Sequence, residues 1–235
     1  MNAKSAEYNL TDDPSMHGDA SVRGDLKVRA VSILEEIQRS TLIAEDDRVT
    51  ALGADKALYL LELGLERRPA RVLEIGLGWG FSAAGIQRLG CVQRHVIVEL
   101  EVGSARACQG ERNARAAVTR PGSVEIIWGD SHVVLPQLCA GGERFDLIFL
   151  DGGHRYDDVF VDFHLARRLI SPSGNIVLDD TWLPSIQTVV SWVETNLSDQ
   201  WQRLPAPPDL SLAAFEARGA SDQRRWDHFV PFAVG

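Results

Sequence analysis

One stretch of this chain constrains its fold more than any other: Val72-Leu73-Glu74-Ile75-Gly76-Leu77-Gly78-Trp79-Gly80-Phe81-Ser82. An apolar run breaks into alternating glycines and then resumes as a helix. Glycine lets a backbone turn tightly and come close to a neighbour, so the stretch reads as strand, turn, helix. Residues 71–75 form the predicted strand. Further short apolar runs at 95–99, 124–128, 145–150 and 175–178 are each bounded by glycine, proline or charge. Helical spacing fills the gaps, with Val159, Phe163, Ala166 and Ile170 before the last run and Ile186, Val189, Val190, Val193 and Leu197 after it. Strands of this length alternating with helices imply βαβ units and a mostly parallel, doubly wound sheet.

The flanks are less regular. Residues 1–24 read as a flexible tail, broken by Asp12-Asp13-Pro14 and Gly18. Residues 25–68 hold two helices, marked by Leu26, Ala30, Ile33, Leu34 and Ile37 and then, over residues 50–66, by Leu58, Leu61 and Leu65. They are expected to form a cap or a dimer surface. Residues 69–235 make the core, with an antiparallel edge strand expected near 210–216. The aromatic tail Arg224-Arg225-Trp226-Asp227-His228-Phe229 either packs on the core or lines a substrate pocket.

Composition excludes some partners. The formal net charge is −9, which argues against a duplex-binding surface. No apolar run is long enough to span a membrane, and the polar amino terminus lacks a signal-peptide pattern. Cys91, Cys108 and Cys139 are odd in number and scattered. They suggest neither a disulfide framework nor a metal knuckle, and fit thiols in a reducing cytoplasm.

The glycine turn discriminates between cofactors. A dinucleotide fingerprint needs G-x-G-x-x-G, but the third glycine would fall at Phe81. The spacing is instead G-x-G-x-G, with Glu74 two residues ahead. A carboxylate there suits a cationic ligand such as S-adenosylmethionine, with its sulfonium and amino group, better than a pyrophosphate. The pattern resembles the first motif of class I methyltransferases, whose fold is Rossmann-like. That resemblance puts Glu74 near the amino-acid end of the cofactor, wraps the backbone of Gly76, Gly78 and Gly80 around it, and gives Ser82 its carboxylate. Glu99, at the end of the second strand, can accept both ribose hydroxyls, with Glu101 as fallback. After the third strand, Asp130, Ser131 and His132 are candidates for holding adenine. Asp130 or Ser131 can equally cap a helix.

Chemistry concentrates at two strand ends. Asp151-Gly152-Gly153-His154-Arg155-Tyr156 follows the fourth strand, and Asp179-Asp180-Thr181-Trp182 follows the fifth. In a parallel sheet these ends are neighbours, so Asp151, Asp179 and Asp180 converge. Grouped acids repel and need compensation. A hard divalent cation such as Mg2+ supplies it and can acidify a substrate hydroxyl. This arrangement resembles metal-dependent small-molecule O-methyltransferases, the macrocin type of antibiotic pathways and the catechol type. The resemblance covers residues 50–200 and implies a small-molecule acceptor and a homodimer. Catechol-type enzymes carry a lysine base three residues after the first aspartate, where this chain has His154. Imidazole can serve as that base, or His154 can support Asp151 by a hydrogen bond. In the rival, metal-free reading Asp151 bonds the cofactor, Asp179 caps its loop and His154 acts alone, or the acceptor atom is nitrogen or carbon.

Overall fold

The computed structural model describes residues 20–219 and 221–233. In chain order these form α1 (Ala20–Ser40), a 3-10 turn (Glu45–Thr50), α2 (Ala54–Arg67), β1 (Arg71–Ile75), α3 (Phe81–Arg88), β2 (Arg94–Glu99), α4 (Ala105–Ala116) and β3 (Val124–Trp128). Then follow α5 (Ser131–Ala140), β4 (Phe145–Leu150), α6 (Tyr156–Leu169), β5 (Ile170–Leu178), α7 (Pro184–Asn196), β6 (Trp201–Arg203) and β7 (Ala213–Ala217). The seven strands form one sheet in the order β3-β2-β1-β4-β5-β7-β6.

Strands β1 to β5 are parallel, β7 pairs antiparallel with β5, and β6 pairs antiparallel with β7. The expected Rossmann-like α/β sheet is therefore present. Strand β7 runs against its neighbours, and the short β6 beyond it, running with β1 to β5, forms the edge. Successive residues on β4 face opposite layers, as strand geometry demands. Leu147 and Phe149 pack with α1, α2 and α3, while Ile148 and Leu150 pack with α5, α6 and α7. The N-terminal helices thus help cover one face of the sheet, burying Ile33, Ile37, Leu60, Leu61 and Leu63.

Several boundaries differ from the sequence reading. Helix α1 starts at Ala20, inside the segment read as a tail. The rest of that segment, 1–19, lies outside the described residues. The second N-terminal helix begins at Ala54, because Gly53 ends the preceding turn in an extended conformation. Strand β5 begins at Ile170, ahead of the apolar run 175–178 and through Ser171-Pro172-Ser173-Gly174, whose composition favours a break. Ser173 takes a left-handed backbone there (φ 60°), and the register with β4 shifts across the irregularity. The strand therefore continues instead of ending.

The segment that carries the aromatic tail is fastened to the ends of two helices. Val230 N–H donates to Asn196 Oδ1 at 2.7 Å, and Asn196 Nδ2 donates back to Val230 O at 3.0 Å. Asp222 pairs with Arg167 at 3.1 Å. Asn196 and Arg167 lie in the last turns of α7 and α6, at the amino ends of the strands. This fastens the tail opposite the strand-end loops, with Trp226 94% exposed. Among the described residues no helix is long and apolar enough to cross a membrane.

Candidate active site at the carboxyl strand ends

Strand order reverses between β1 and β4, and ligands of open α/β sheets bind outside the carboxyl ends at such a point. Three loops meet here. The glycine loop after β1 is pressed close to its neighbours. Gly76 has φ 91°, and a Cβ on it would collide with the carbonyl oxygen of Asp151. Gly80 (φ 70°) abuts the backbone of Gly110 on α4, and a Cβ on Gly110 would in turn collide with Gly78 O. Only Gly78 (φ 49°) has open space where its Cβ would be. Two of the three motif glycines therefore serve backbone packing, and Gly78 is the one left facing free volume. Gly110 carries no local sequence signal for this role.

Glu99 anchors the same loop from β2. Its Oε2 accepts from Leu77 N–H at 2.8 Å and Gly78 N–H at 3.2 Å, and its Oε1 accepts from Glu101 N–H at 2.7 Å. Each carboxylate oxygen has two lone pairs, so acceptor capacity remains for a hydroxylated ligand. Glu74 lies deeper and is fully buried. It accepts from Ser82 Oγ, and its Oε2 lies 3.0 Å from His95 Nε2 without hydrogen-bond alignment. The chain of contacts continues from His95 Nδ1 to Gln87 Nε2 (3.2 Å), and Ser123 Oγ donates to Gln87 Oε1 (2.7 Å). Glu74 and Ser82 are thus turned toward each other beneath the loop. His95, Gln87 and Ser123 had no functional reading in the sequence.

At the end of β3, Asp130 caps α5 by accepting His132 N–H at 2.8 Å. Ser131 hydrogen-bonds Asp162, a buried carboxyl on α6. Burial pushes the Asp162 pKa up to about 6, against the pull of Ser131 and His132. His132 Nε2 stands 3.9 Å from Asp162 Oδ1, and that oxygen has no aligned hydrogen bond. Asp162 was missed because a lone acid inside an amphipathic helix looks like any surface charge.

The acidic cluster assembles as the strand order requires, with one addition. Asp151, His154 and Asp180 can each turn a donor atom inward, all within 4.8 Å of one another. His154 Nε2 is 3.3 Å from Asp180 Oδ2. Asp180 adopts a left-handed backbone (φ 54°), an uncommon conformation that clusters at functional sites. Trp182 Nε1 donates to Asp180 Oδ1 at 3.1 Å, and its ring is 62% exposed beside the cluster. The addition is Lys56, from the first turn of α2. Its Nζ sits 2.6 Å from Asp179 Oδ1 and 2.7 Å from Asp180 Oδ1.

The electrostatics follow from this crowding. Burial, then Asp179, Asp180 and Glu74, hold the Asp151 carboxyl well above the usual carboxylate range. Burial also raises Asp179 despite its bond to Lys56. Asp180 is less buried, and Lys56, Trp182 and His154 outweigh its desolvation and lower it. Lys56 is raised, because its two carboxylate partners outweigh partial burial. Below the cluster, a narrow crevice is lined by Asp151, His154, Asp162, Asp179 and Ile186.

The methyltransferase-domain family matches residues 73–181, which run from β1 through the second acidic motif. This stretch of the chain is similar to a methyltransferase domain. It is 25% identical over 176 residues to the O-methyltransferase hkm8 of Aspergillus hancockii, covering 74% of this chain and 65% of that one. It is 31% identical over 123 residues to the O-methyltransferase ankF of Aspergillus thermomutatus, covering 51% and 48%. The chain thus spans between about half and two thirds of these relatives. In fold, the domain resembles the O-methyltransferase TomG of Streptomyces achromogenes, involved in tomaymycin synthesis and solved with S-adenosylmethionine. That likeness has a TM-score of 0.57 at 20% identity and covers 83% of this chain and 90% of that one. It also resembles the S-adenosylhomocysteine-bound methyltransferase PaMTH1 of Podospora anserina, with a TM-score of 0.58 at 16% identity, covering 90% and 99%.

Proposed function

We propose that the domain transfers a methyl group from S-adenosylmethionine to a hydroxyl oxygen of a small molecule, with His154 as the base. The observation that carries this reading is the pairing of His154 with Asp180 at the mouth of the acidic cluster, beside the glycine loop. With Nε2–H turned to Asp180, Nδ1 keeps the lone pair that can take the acceptor proton. The new O–CH3 bond forms as the S–CH3 bond breaks, and the proton passes to His154. Asp180 orients the imidazole and stabilises its charged form, as a carboxylate does for a histidine base. That hkm8, ankF and TomG are O-methyltransferases supports oxygen as the acceptor atom.

The cofactor fits the loop residues. Glu99 keeps one free lone pair, on Oε1, for a ribose hydroxyl, Gly78 leaves open space, and Asp130, Ser131 and His132 form the wall for adenine. Glu74 and Ser82 act from beneath, holding the loop. As an alternative to His154 acting as the base, a divalent ion such as Mg2+ fits on the donor set Asp151, His154 and Asp180. It would lower the pKa of an acceptor hydroxyl. Lys56 favours a second reading, transfer without a metal, because an ammonium already compensates Asp179 and Asp180. The exposed Trp182 ring supports an aromatic acceptor, the likeness to TomG, involved in tomaymycin synthesis, supports a secondary-metabolic pathway, and the exposed valines 22, 28 and 31 on α1 support a homodimer.

Calorimetry with S-adenosylhomocysteine tests the cofactor. S-adenosylmethionine labelled with 13C in its methyl group, incubated with a panel of small phenols and catechols, tests the acceptor atom, since carbon NMR separates O-, N- and C-methyl products. His154→Gln should slow transfer about 100-fold or more and leave S-adenosylhomocysteine affinity unchanged. Label appearing only on nitrogen or carbon would remove the oxygen assignment.

A further inference from the structure

The cation that completes the acidic cluster comes from outside the strand-end loops. Lys56 reaches from α2 and is only 19% exposed. Its ammonium has three donors and no acceptor, and its nitrogen lies 2.6 Å from Asp179 Oδ1 and 2.7 Å from Asp180 Oδ1. Those two oxygens have further partners. Asp179 Oδ1 also accepts Asp180 N–H at 2.6 Å, and Asp180 Oδ1 also accepts Trp182 Nε1–H at 3.1 Å. The carboxylate pair expected to hold a metal is therefore filled on its Oδ1 side by the protein itself. What remains toward Asp151 is Asp180 Oδ2, with His154 at 3.3 Å.

We propose that Lys56 competes with a divalent ion for Asp179 and Asp180. While the ammonium is in place, the ion has only Asp151, His154 and one oxygen of Asp180, so it binds weakly. Withdrawing the ammonium frees Asp179 and removes a repelling positive charge, and the ion then binds more tightly. This rests on reading the cluster as an ion site. It makes α2 part of the active site, with Lys56 as a positioning residue that sets how much positive charge the cluster accepts from outside. A plain structural brace predicts the opposite sign. Losing a brace would loosen the loops and weaken every ligand.

The test is Mn2+ binding by electron paramagnetic resonance on the full chain with S-adenosylhomocysteine present. Wild type, Lys56→Met, Lys56→Gln and Lys56→Arg are compared. Lys56→Met removes the charge and keeps the stem, while Lys56→Gln also keeps a hydrogen-bond donor in case the first variant fails to fold. The neutral variants should bind Mn2+ about 10-fold or more tightly than wild type. Lys56→Arg should stay near the wild-type value, and S-adenosylhomocysteine affinity should not move. If wild type binds Mn2+ and the neutral variants bind it no better, the competition is overturned while the ion site stands. If no variant binds Mn2+ at millimolar concentration, the ion site is overturned and the competition with it.

Discussion

Replacing His95 with leucine strips a buried carboxylate of its neighbour and should be costly. His95 and Glu74 are both fully buried, and Glu74 Oε2 faces His95 Nε2 at 3.0 Å. Neither atom has an aligned hydrogen bond elsewhere. Breaking a buried pair by removing one member costs about 3–5 kcal/mol, because the other is left uncompensated in a low-dielectric interior. At about 2–4 °C per kcal/mol for a chain of this size, the melting temperature should fall by about 6–20 °C. Urea unfolding should show the same loss as a lower midpoint at an unchanged slope. The damage should also reach the glycine loop, since Glu74 holds Ser82 at the start of α3. S-adenosylhomocysteine affinity should therefore fall with stability. A double-mutant cycle with Glu74→Gln isolates the pair. A loss below about 1 kcal/mol for His95→Leu, or strict additivity in the cycle, would refute the reasoning.

Other variants probe the loop and the wall around it. Glu99→Gln keeps the shape but weakens three charge-assisted contacts to Leu77, Gly78 and Glu101 N–H; S-adenosylhomocysteine affinity should drop about 10-fold or more, and an unchanged affinity in calorimetry would count against the anchor. Gly110→Ala raises helix propensity yet pushes a methyl group into Gly78 O, so cofactor affinity should fall even where the helix is stabilised, and a variant with intact affinity would show that the loop can yield. Asp162 has a folded pKa of about 6 against 3.8, so the stability held by its proton is fully present below about pH 4 and is lost as pH rises through 6. Asp162→Asn should therefore match wild type near pH 4 and exceed it above pH 7 by up to about 3 kcal/mol; a pH-independent difference in urea unfolding would discard the assignment.

The sheet was legible because short apolar runs bounded by breakers leave little choice of fold. The five parallel strands fall where those runs fall. Strand β5 extends further because a left-handed Ser173 let the chain pass through a segment that composition reads as a stop. Strand β6 gave no signal, since three residues of an edge pair carry no periodicity. The convergence of Asp151, Asp179 and Asp180 followed from topology alone, as neighbouring parallel strands must bring their ends together.

The partners of those side chains were not legible, and they change the chemistry most. Lys56, His95, Asp162 and Gly110 lie on elements whose local pattern explains them as ordinary helix or strand residues. Only the packing of α2 over the strand ends brings Lys56 within 2.7 Å of both aspartates. Only the parallel pairing of β1 with β2 sets His95 near Glu74, two register positions apart, since Glu74 aligns with Ile97 and Val72 with His95. Asn113 shows the same kind of tie. It accepts Leu42 N–H at 3.0 Å and donates to Trp79 O at 2.9 Å, joining the segment after α1 to the glycine loop. Local sequence thus reveals which atoms can act as donors and acids, while the N-terminal helices decide how those acids are charged. The strand-end motifs carry the acids, and the protein's own cation that faces them, Lys56, comes from a helix far from them in the chain.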